Sequence, residues 1–258
     1  MCNKVFMNES MPEQTLDDKV ILVTGAARRI GAAIVTCLHE HGARLAIHYR
    51  GSRDAAEKLA ADLNKVRENS ATALQADLAD TDKLPALIAA VLDWGGRLDG
   101  LVNNASSFYP TPLGSISEKQ WDDLVGSNLK APLFLSQAAI DPLRRSAGAI
   151  VNIVDIHAQR PLRNHAVYGS AKAGLAMLTR SLAKDLAPHI RVNGVSPGVI
   201  LWPENGMSDV VQESILRQIP LQHAGKPRDI AACVLYLLRD ASYVTGQIIA
   251  VDGGRSIA

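Results

Sequence analysis

The sequence predicts an α/β fold: one doubly wound parallel sheet with helices on both faces, in a single domain. Three observations carry that prediction. Short β-branched runs alternate with amphipathic helical stretches along nearly the whole chain, a rhythm that means βαβ units and a parallel sheet. Strand, glycine turn and helix follow one another from Val20 to Gly31, the context in which a helix N-terminus holds a phosphate. The 258 residues are 47% hydrophobic, ample for one large core, and no repeat, low-complexity tract or linker divides them.

Residues 1–17 lack periodicity and are expected to be a mobile tail, leaving 18–258 as the folded domain. Val20–Val23 is the first strand, and the helix after it ends near Gly42, with Ile30, Ile34, Val35 and Leu38 on its apolar stripe. Arg44–Tyr49 is the second strand. A helix then runs to about Asn69 with Ala56, Leu59, Ala60 and Leu63 inward. Ala71–Gln75 is the third strand, closed by Asp77, and a helix spans about Thr81 to Asp93. Leu98–Val102 leads into Asn103-Asn104-Ala105. One helix is expected from Ser117-Glu118, past Asn128, to near Pro142. Ala149–Val154 is the fifth strand, followed by a helix over about Ala166 to Ala187. Arg191–Val195 is a strand broken by Ser196-Pro197-Gly198. Residues 199–214 form an irregular or part-helical insertion, Pro227 starts a helix through Leu238, and Gly246–Val251 is the last strand.

Bulk composition excludes several classes. A net charge of +1 provides no global attraction for nucleic acid, and 4% aromatics argue against base-stacking platforms. Cys2, Cys37 and Cys233 form no metal or disulfide pattern, so no metal is expected and a reducing cytoplasmic setting fits. No run of 18 apolar residues exists, so no membrane span is expected.

Two constellations carry chemistry. The first surrounds Gly25. Arg28 and Arg29 add like charge to a helix start, which costs roughly 0.3–1 kcal/mol each and points to a nearby anion; the plainer alternative is solvent-facing arginines. At the end of the second strand, where an acid would meet a free ribose 2′-hydroxyl, stand His48, Tyr49, Arg50, Ser52 and Arg53. A basic, hydroxylic corner with Arg28 in reach matches a 2′-phosphate, so NADPH is expected over NADH. Asp77 is placed either to accept from an adenine amine or to cap a helix. The second constellation is Asp155, Tyr168 and Lys172. The last two lie four apart on one helix face, among Gly169, Ser170, Ala171, Ala173 and Gly174. A phenol near pKa 10 is a poor acid–base group at neutral pH, and a nearby ammonium is expected to lower it.

Together, Thr24-Gly25 through Gly31, Asn103-Asn104-Ala105, Asn128, Tyr168 with Lys172, Asn193, Pro197-Gly198 and Asp252-Gly253-Gly254 resemble the short-chain dehydrogenase/reductase family from Lys19 to Gly254. The resemblance implies a Rossmann-type fold, hydride transfer with a nicotinamide dinucleotide, Tyr168 as acid–base residue, Lys172 as its helper and as a holder of the nicotinamide ribose, and Asn128 positioning a water in a proton relay. It places Ile30, Leu78, Asn104, Ala105, Pro197 and Gly198 with the cofactor-binding residues. It also implies a homotetramer built through helices near Phe134 and Tyr168.

Two departures narrow the resemblance. Arg29 stands where the family's first turn has its middle glycine, and Asp155, thirteen residues before Tyr168, where it has a serine. An ionised aspartate would repel a developing alkoxide, but it suits a substrate nitrogen that must be protonated. These features, with His48-Tyr49-Arg50 and the run from Asn103 to Leu113, resemble the pteridine reductases. That resemblance implies a pterin or folate substrate, Arg29 reaching pyrophosphate and substrate, Ser106 touching a cofactor phosphate or the pterin, and Phe108 stacked on the pterin. Trp202 is either a substrate wall or a hinge anchor. Two other readings stay open: a reductase of carbonyl or keto-acyl groups, and a regulatory protein that binds NADP(H) without turnover.

Overall fold

The structure is a computed structural model that describes residues 15–202 and 206–258. Seven strands form one sheet: β1 (Val20–Val23), β2 (Arg44–Tyr49), β3 (Ala71–Gln75), β4 (Gly100–Asn103), β5 (Ala149–Ile153), β6 (Arg191–Pro197) and β7 (Ile248–Val251). Their order is β3-β2-β1-β4-β5-β6-β7, and every neighbouring pair is parallel. The chain winds outward from β1 to β3, returns to the middle for β4, and winds outward the other way. A crevice opens at that reversal, beyond the C-terminal ends of β1 and β4. This is the doubly wound α/β fold the sequence predicts.

Alternate residues of β1 serve the two faces. Ile21 and Val23 pack with α1 (Arg29–Glu40), α2 (Arg53–Val66) and the last helix, Pro227–Arg239. Val20 and Leu22 pack with α3 (Leu84–Gly95) and with the helices of the second half. A strand buried on both faces is an unbroken apolar run, which is why β1 is so plain in the sequence.

Several boundaries differ from expectation for identifiable reasons. The expected single helix from Ser117 to Pro142 is three helices and a π turn: α4 (Glu118–Val125), the turn Gly126–Lys130, α5 (Ala131–Ala138) and α6 (Ile140–Ser146). Pro132 has no N–H for the carbonyl of Asn128, and the register slips there, with Ala131 N–H reaching Gly126 C=O. Pro142 likewise cannot serve Ala138, where α5 stops. β6 is not broken at Ser196 but runs through Pro197, paired with Val251. The nitrogen of Pro197 faces β5, which has already ended, so its missing donor costs no ladder bond. The α2 helix stops at Val66, because Arg67 is extended and Asn69 has φ +53°. Ile30 and Leu59 are only half-buried.

Of the expected tail, residues 1–14 lie outside the described residues. Its inner end is not free: Leu16 is buried in the core and its N–H donates to His41 C=O. The insertion after β6 becomes α8 (Asp209–Leu216), and α9 is Pro227–Arg239. Among the described residues no helix is long and apolar enough to cross a membrane.

Polar groups inside the sheet are matched. Asn152 of β5 accepts from Asn103 Nδ2 at 2.8 Å and donates to Thr179 Oγ1 at 2.9 Å, tying β4, β5 and α7 (Ala166–Leu186). The Asn152→Ala change leaves the Asn103 amide without that acceptor and opens a small void, so it is expected to cost about 2–3 kcal/mol. Urea unfolding checks this; a loss below about 0.5 kcal/mol would contradict the role given to Asn152.

Candidate active site

The crevice is held open by a clamp between β1 and β4. Thr24 Oγ1 accepts the N–H groups of Asn104 and Ala105, while Asn104 Nδ2 donates to the carbonyls of Thr24 and Gly25. The turn is tight enough that only glycine fits at 25: its φ is +59°, and a Cβ would lie 2.9 Å from Ala105 Cα. The family's glycine at position 29 is replaced by Arg29, yet the backbone keeps a glycine-like φ of +55°. A bulky residue there carries roughly 1–2 kcal/mol of strain, the kind of cost that collects at functional sites.

Over this turn lies a cavity of about 400 Å³, lined among others by Gly25, Arg28, Arg29, Ile30, Arg50, Asp77, Leu78, Asn104, Ala105 and Ser106. A smaller hollow beside it takes in Arg28, Tyr49, Arg50 and Ser52. The α1 helix points its N-terminus here, with no acid in its first turn and no side-chain cap. Three arginines around an uncapped helix start concentrate positive charge there, which is favourable for an anion. Asp77 lines the cavity and its Oδ1 accepts the Ala79 N–H at 3.0 Å; it caps no helix, since the next one begins at Thr81 with Asp80 at its N-cap.

His48 corrects one expectation. The sequence groups it with the basic residues of this corner, but it is buried beneath the turn. Its Nδ1 accepts the Gly25 N–H at 3.1 Å, and Nε2 faces the Ala76 carbonyl at 3.1 Å, which sets the proton on Nε2. Burial pulls its pKa down to about 4, against weaker opposite pulls from Ala76 and Asp77. His48 is a neutral brace; positive charge at this corner comes from Arg28 and Arg50.

The second constellation meets at the C-terminal end of β5. Asp155 caps a short 3-10 turn, Ile156–Ala158, with Oδ1 accepting the His157 N–H at 2.8 Å. Its Oδ2 accepts the Tyr168 hydroxyl at 2.7 Å. Burial, then the Asp155 charge and hydrogen bond, hold the Tyr168 phenol well above its ordinary pKa, with a hydrogen bond from Ser106 opposing them. This corrects the expectation that Lys172 sets the phenol low. Lys172 Nζ sits 5.7 Å from the Tyr168 ring centre and donates to Ile153 C=O at 2.8 Å. Burial lowers Lys172 itself to about 8, with Asp155 opposing. Tyr168 is thus a proton donor at neutral pH, already bonded to a carboxylate.

Asn128, fully buried in the π turn, anchors the loop above. Its Oδ1 accepts from Ser106 Oγ at 2.7 Å, and its Nδ2 donates to Ser107 C=O at 2.9 Å. Phe108 is 55% exposed, so it does not anchor the core. Its ring meets Tyr168 edge-on at 4.8 Å and stacks on His165 at 4.7 Å. Sequence reasoning passed over His165, although it lies one helical turn before Tyr168. It also missed Asp122, Asp123 and Ser127 in the cavity wall, for which the sequence carries no signal. Pro197 and Gly198 stand apart from the main cavity, and Gly198 is needed for packing, since a Cβ there would meet Asp252 at 2.6 Å. Trp202 is half-buried, and Pro203, Glu204 and Asn205 of the same loop lie outside the described residues. Among the described residues no three His, Cys, Asp or Glu side chains gather to hold a metal.

Fold and site together define an oxidoreductase that works with a dinucleotide. Comparisons with known proteins agree. A family model described as enoyl-(acyl carrier protein) reductase matches residues 25–256. The chain is 40% identical to pteridine reductase 1 of Leishmania tarentolae, with 92% of this chain and 96% of that protein aligned. It is 39% identical to the 3-oxoacyl-(acyl-carrier-protein) reductase FabG of Staphylococcus aureus, covering 92% and 97%, and 35% identical to a 3-oxoacyl-(acyl-carrier-protein) reductase of Synechocystis, covering 93% and 97%. The chain belongs to the short-chain dehydrogenase/reductase family, whose cofactor is a nicotinamide dinucleotide.

The His48 brace has a measurable signature. Because its folded value lies below the ordinary 6.5, the folded state resists protonation. The stability it confers is complete above pH 6.5 and is lost as pH falls toward 4, in total about 3 kcal/mol. Histidine NMR should show His48 titrating near pH 4; a midpoint near 6.5 would contradict the brace.

Proposed function

We propose that the chain is an NADPH-dependent pteridine reductase, acting on a C=N bond of a dihydropterin or an oxidised pterin of biopterin, monapterin or folate type. The observation that carries this reading is the Asp155–Tyr168 hydrogen bond, with the exposed Phe108 ring against the same phenol. A carboxylate at that point disfavours a nascent alkoxide, because like charges repel. The same carboxylate supports delivery of a proton to a ring nitrogen. A flat, polar bicycle also suits an aromatic wall with polar partners at its edge.

The residues of the crevice fit the dinucleotide. Gly25, Arg28, Arg29, Ile30, Asn104, Ala105 and Ser106 would hold the diphosphate side, with Asp77 and Leu78 beside the adenine. Arg28, Tyr49, Arg50 and Ser52 would take the 2′-phosphate, which favours NADPH. When bound, the cofactor supplies the hydride. Tyr168 donates the proton to the ring nitrogen, and Asp155 holds the phenol in line for that transfer. Lys172 orients the cofactor ribose and carries the charge that steadies the phenolate left behind. Asn128 and Ser106 fix the loop that bears Phe108, so the ring is aligned before reaction. Asp155 or a water supplies the proton of a second reduction. The working form is a homotetramer, as the family resemblance implies.

A second reading has its own support. The two 3-oxoacyl reductases are 39% and 35% identical to the chain, close to the 40% of the pteridine reductase, so reduction of a keto-acyl group is the competitor. Asp155 in place of serine weighs against it.

NADPH oxidation at 340 nm with dihydrobiopterin, beside acetoacetyl thioester, tests the choice. Turnover of the pterin is expected, at least about tenfold better with NADPH than with NADH, and it should fall about 100-fold or more in Tyr168→Phe. Turnover of the thioester alone would overturn the pterin reading.

A further inference from the structure

Two arginines that the chemistry above does not use lie near Asp155. Arg255 is close enough to feel its charge, and Arg160 follows the short turn that Asp155 caps. Its N–H donates to Ile156 C=O at 2.9 Å and its own carbonyl faces His157 Nδ1 at 2.9 Å, so its backbone is fixed. Its guanidinium donates to the carbonyl of Arg255, 95 residues further on. Arg255 opens the C-terminal 3-10 turn Arg255–Ile257. That turn is set by Asp252, whose carboxylate accepts the N–H groups of Gly254 at 2.9 Å and Ser256 at 2.6 Å. It is also wedged from below, since a Cβ on Gly254 would meet Pro220 at 2.9 Å. Both arginines are half-buried.

The arrangement leaves hydrogen-bonding capacity unused. Both oxygens of Asp155 are taken, by His157 N–H and the Tyr168 hydroxyl, and those of Asp252 by backbone. Among the described residues neither arginine has a carboxylate within salt-bridge distance, and Arg160 Nη1 to Arg255 C=O is the bond that joins them. Each guanidinium carries five N–H donors in a planar fork. Two like charges held together and partly desolvated weaken each other: burial and then Arg160 pull the Arg255 pKa down, while Asp155 and Asp252 pull it up. Such a pair gains most from an anion with two or more oxygens.

We propose that Arg160 and Arg255 form an anion-selecting corner that reads a carboxylate or phosphate on the substituent of the substrate whose ring lies at Tyr168. The assignment rests on the pterin reading above and adds to it a specificity element. Substrates with a negatively charged tail are favoured over those with a neutral hydroxylated one. Neither arginine takes part in proton delivery, so the effect falls on KM more than on kcat.

The test is steady-state NADPH oxidation with dihydrofolate, whose tail carries two carboxylates, against dihydrobiopterin, whose tail is neutral. A pterin phosphorylated on its side chain makes a third arm and separates phosphate from carboxylate recognition. The ratio of kcat/KM for dihydrofolate to that for dihydrobiopterin should fall roughly tenfold or more in Arg160→Gln and in Arg255→Gln. The fall should be carried by KM, and Arg255→Lys should restore part of the ratio. In the unaltered protein the same ratio should fall as salt is raised, a readout that needs no variant to fold. If both pterins are turned over but the ratio is unmoved by the substitutions and by salt, the corner is overturned and the pterin reading stands. If no pterin is turned over, the pterin reading fails and this inference fails with it.

Discussion

The hydrogen bond of 2.7 Å from the Tyr168 hydroxyl to Asp155 is the contact on which the reactive half of the molecule depends. It joins the end of β5 to the first turn of α7, and so fixes where Lys172, one turn further on, can reach. Lys172 then returns to β5 through the Ile153 carbonyl, so two contacts tie the start of α7 to the end of β5 in a buried setting. In that setting an unpaired hydroxyl or ammonium would cost several kcal/mol. Each group is instead satisfied by another, and the satisfied arrangement is also a chemical one: a neutral phenol, a carboxylate behind it and an ammonium beneath it. Replacing the family's serine by aspartate changes what the phenol is bonded to, and with it which reacting atom the site favours.

The binding half depends on backbone shape. Gly25 and Arg29 both adopt positive φ, and the Thr24–Asn104 clamp holds the two sides of the crevice at fixed spacing. Only Gly25 is spared the strain. At position 29 the chain accepts strain and gains a guanidinium at the mouth of the cavity. His48 completes this half by filling the space under the turn while remaining uncharged, so that the charges facing a ligand are those of the exposed arginines.

Much of this was legible in the sequence. The buried strand β1 is a continuous apolar run between polar turns, and its limits fall where the run ends; β2 and the half-exposed β3 also fall within their expected limits. Tyr168 and Lys172 stand out because a spacing of four puts them on one helix face, and Gly25 and Asp155 because each follows the C-terminal end of a strand, where functional groups of such a sheet converge. What was not legible depends on contacts between distant segments or on small shifts of register. Pro132 and Pro142 break one apparent helix into three, although proline near a helix start is often harmless. His48 looks like one more base in a basic run until the strand pairing buries it. The raised Tyr168 pKa follows from burial and from Asp155, whereas spacing alone drew attention to Lys172. Arg160 and Arg255 lie on separate elements that only the closed sheet brings into contact.

The state of the Tyr168 phenol tests this most directly. Tyrosine ζ-carbon NMR of the ligand-free protein, assigned with Tyr168→Phe, should show Tyr168 still protonated at pH 10, where an ordinary tyrosine is half ionised. In Asp155→Ser its midpoint should move down, because both the charge and its hydrogen bond are gone. A Tyr168 that ionises below pH 10 in the unaltered protein, or whose midpoint ignores the loss of Asp155, would contradict the proton-donor role assigned to the pair.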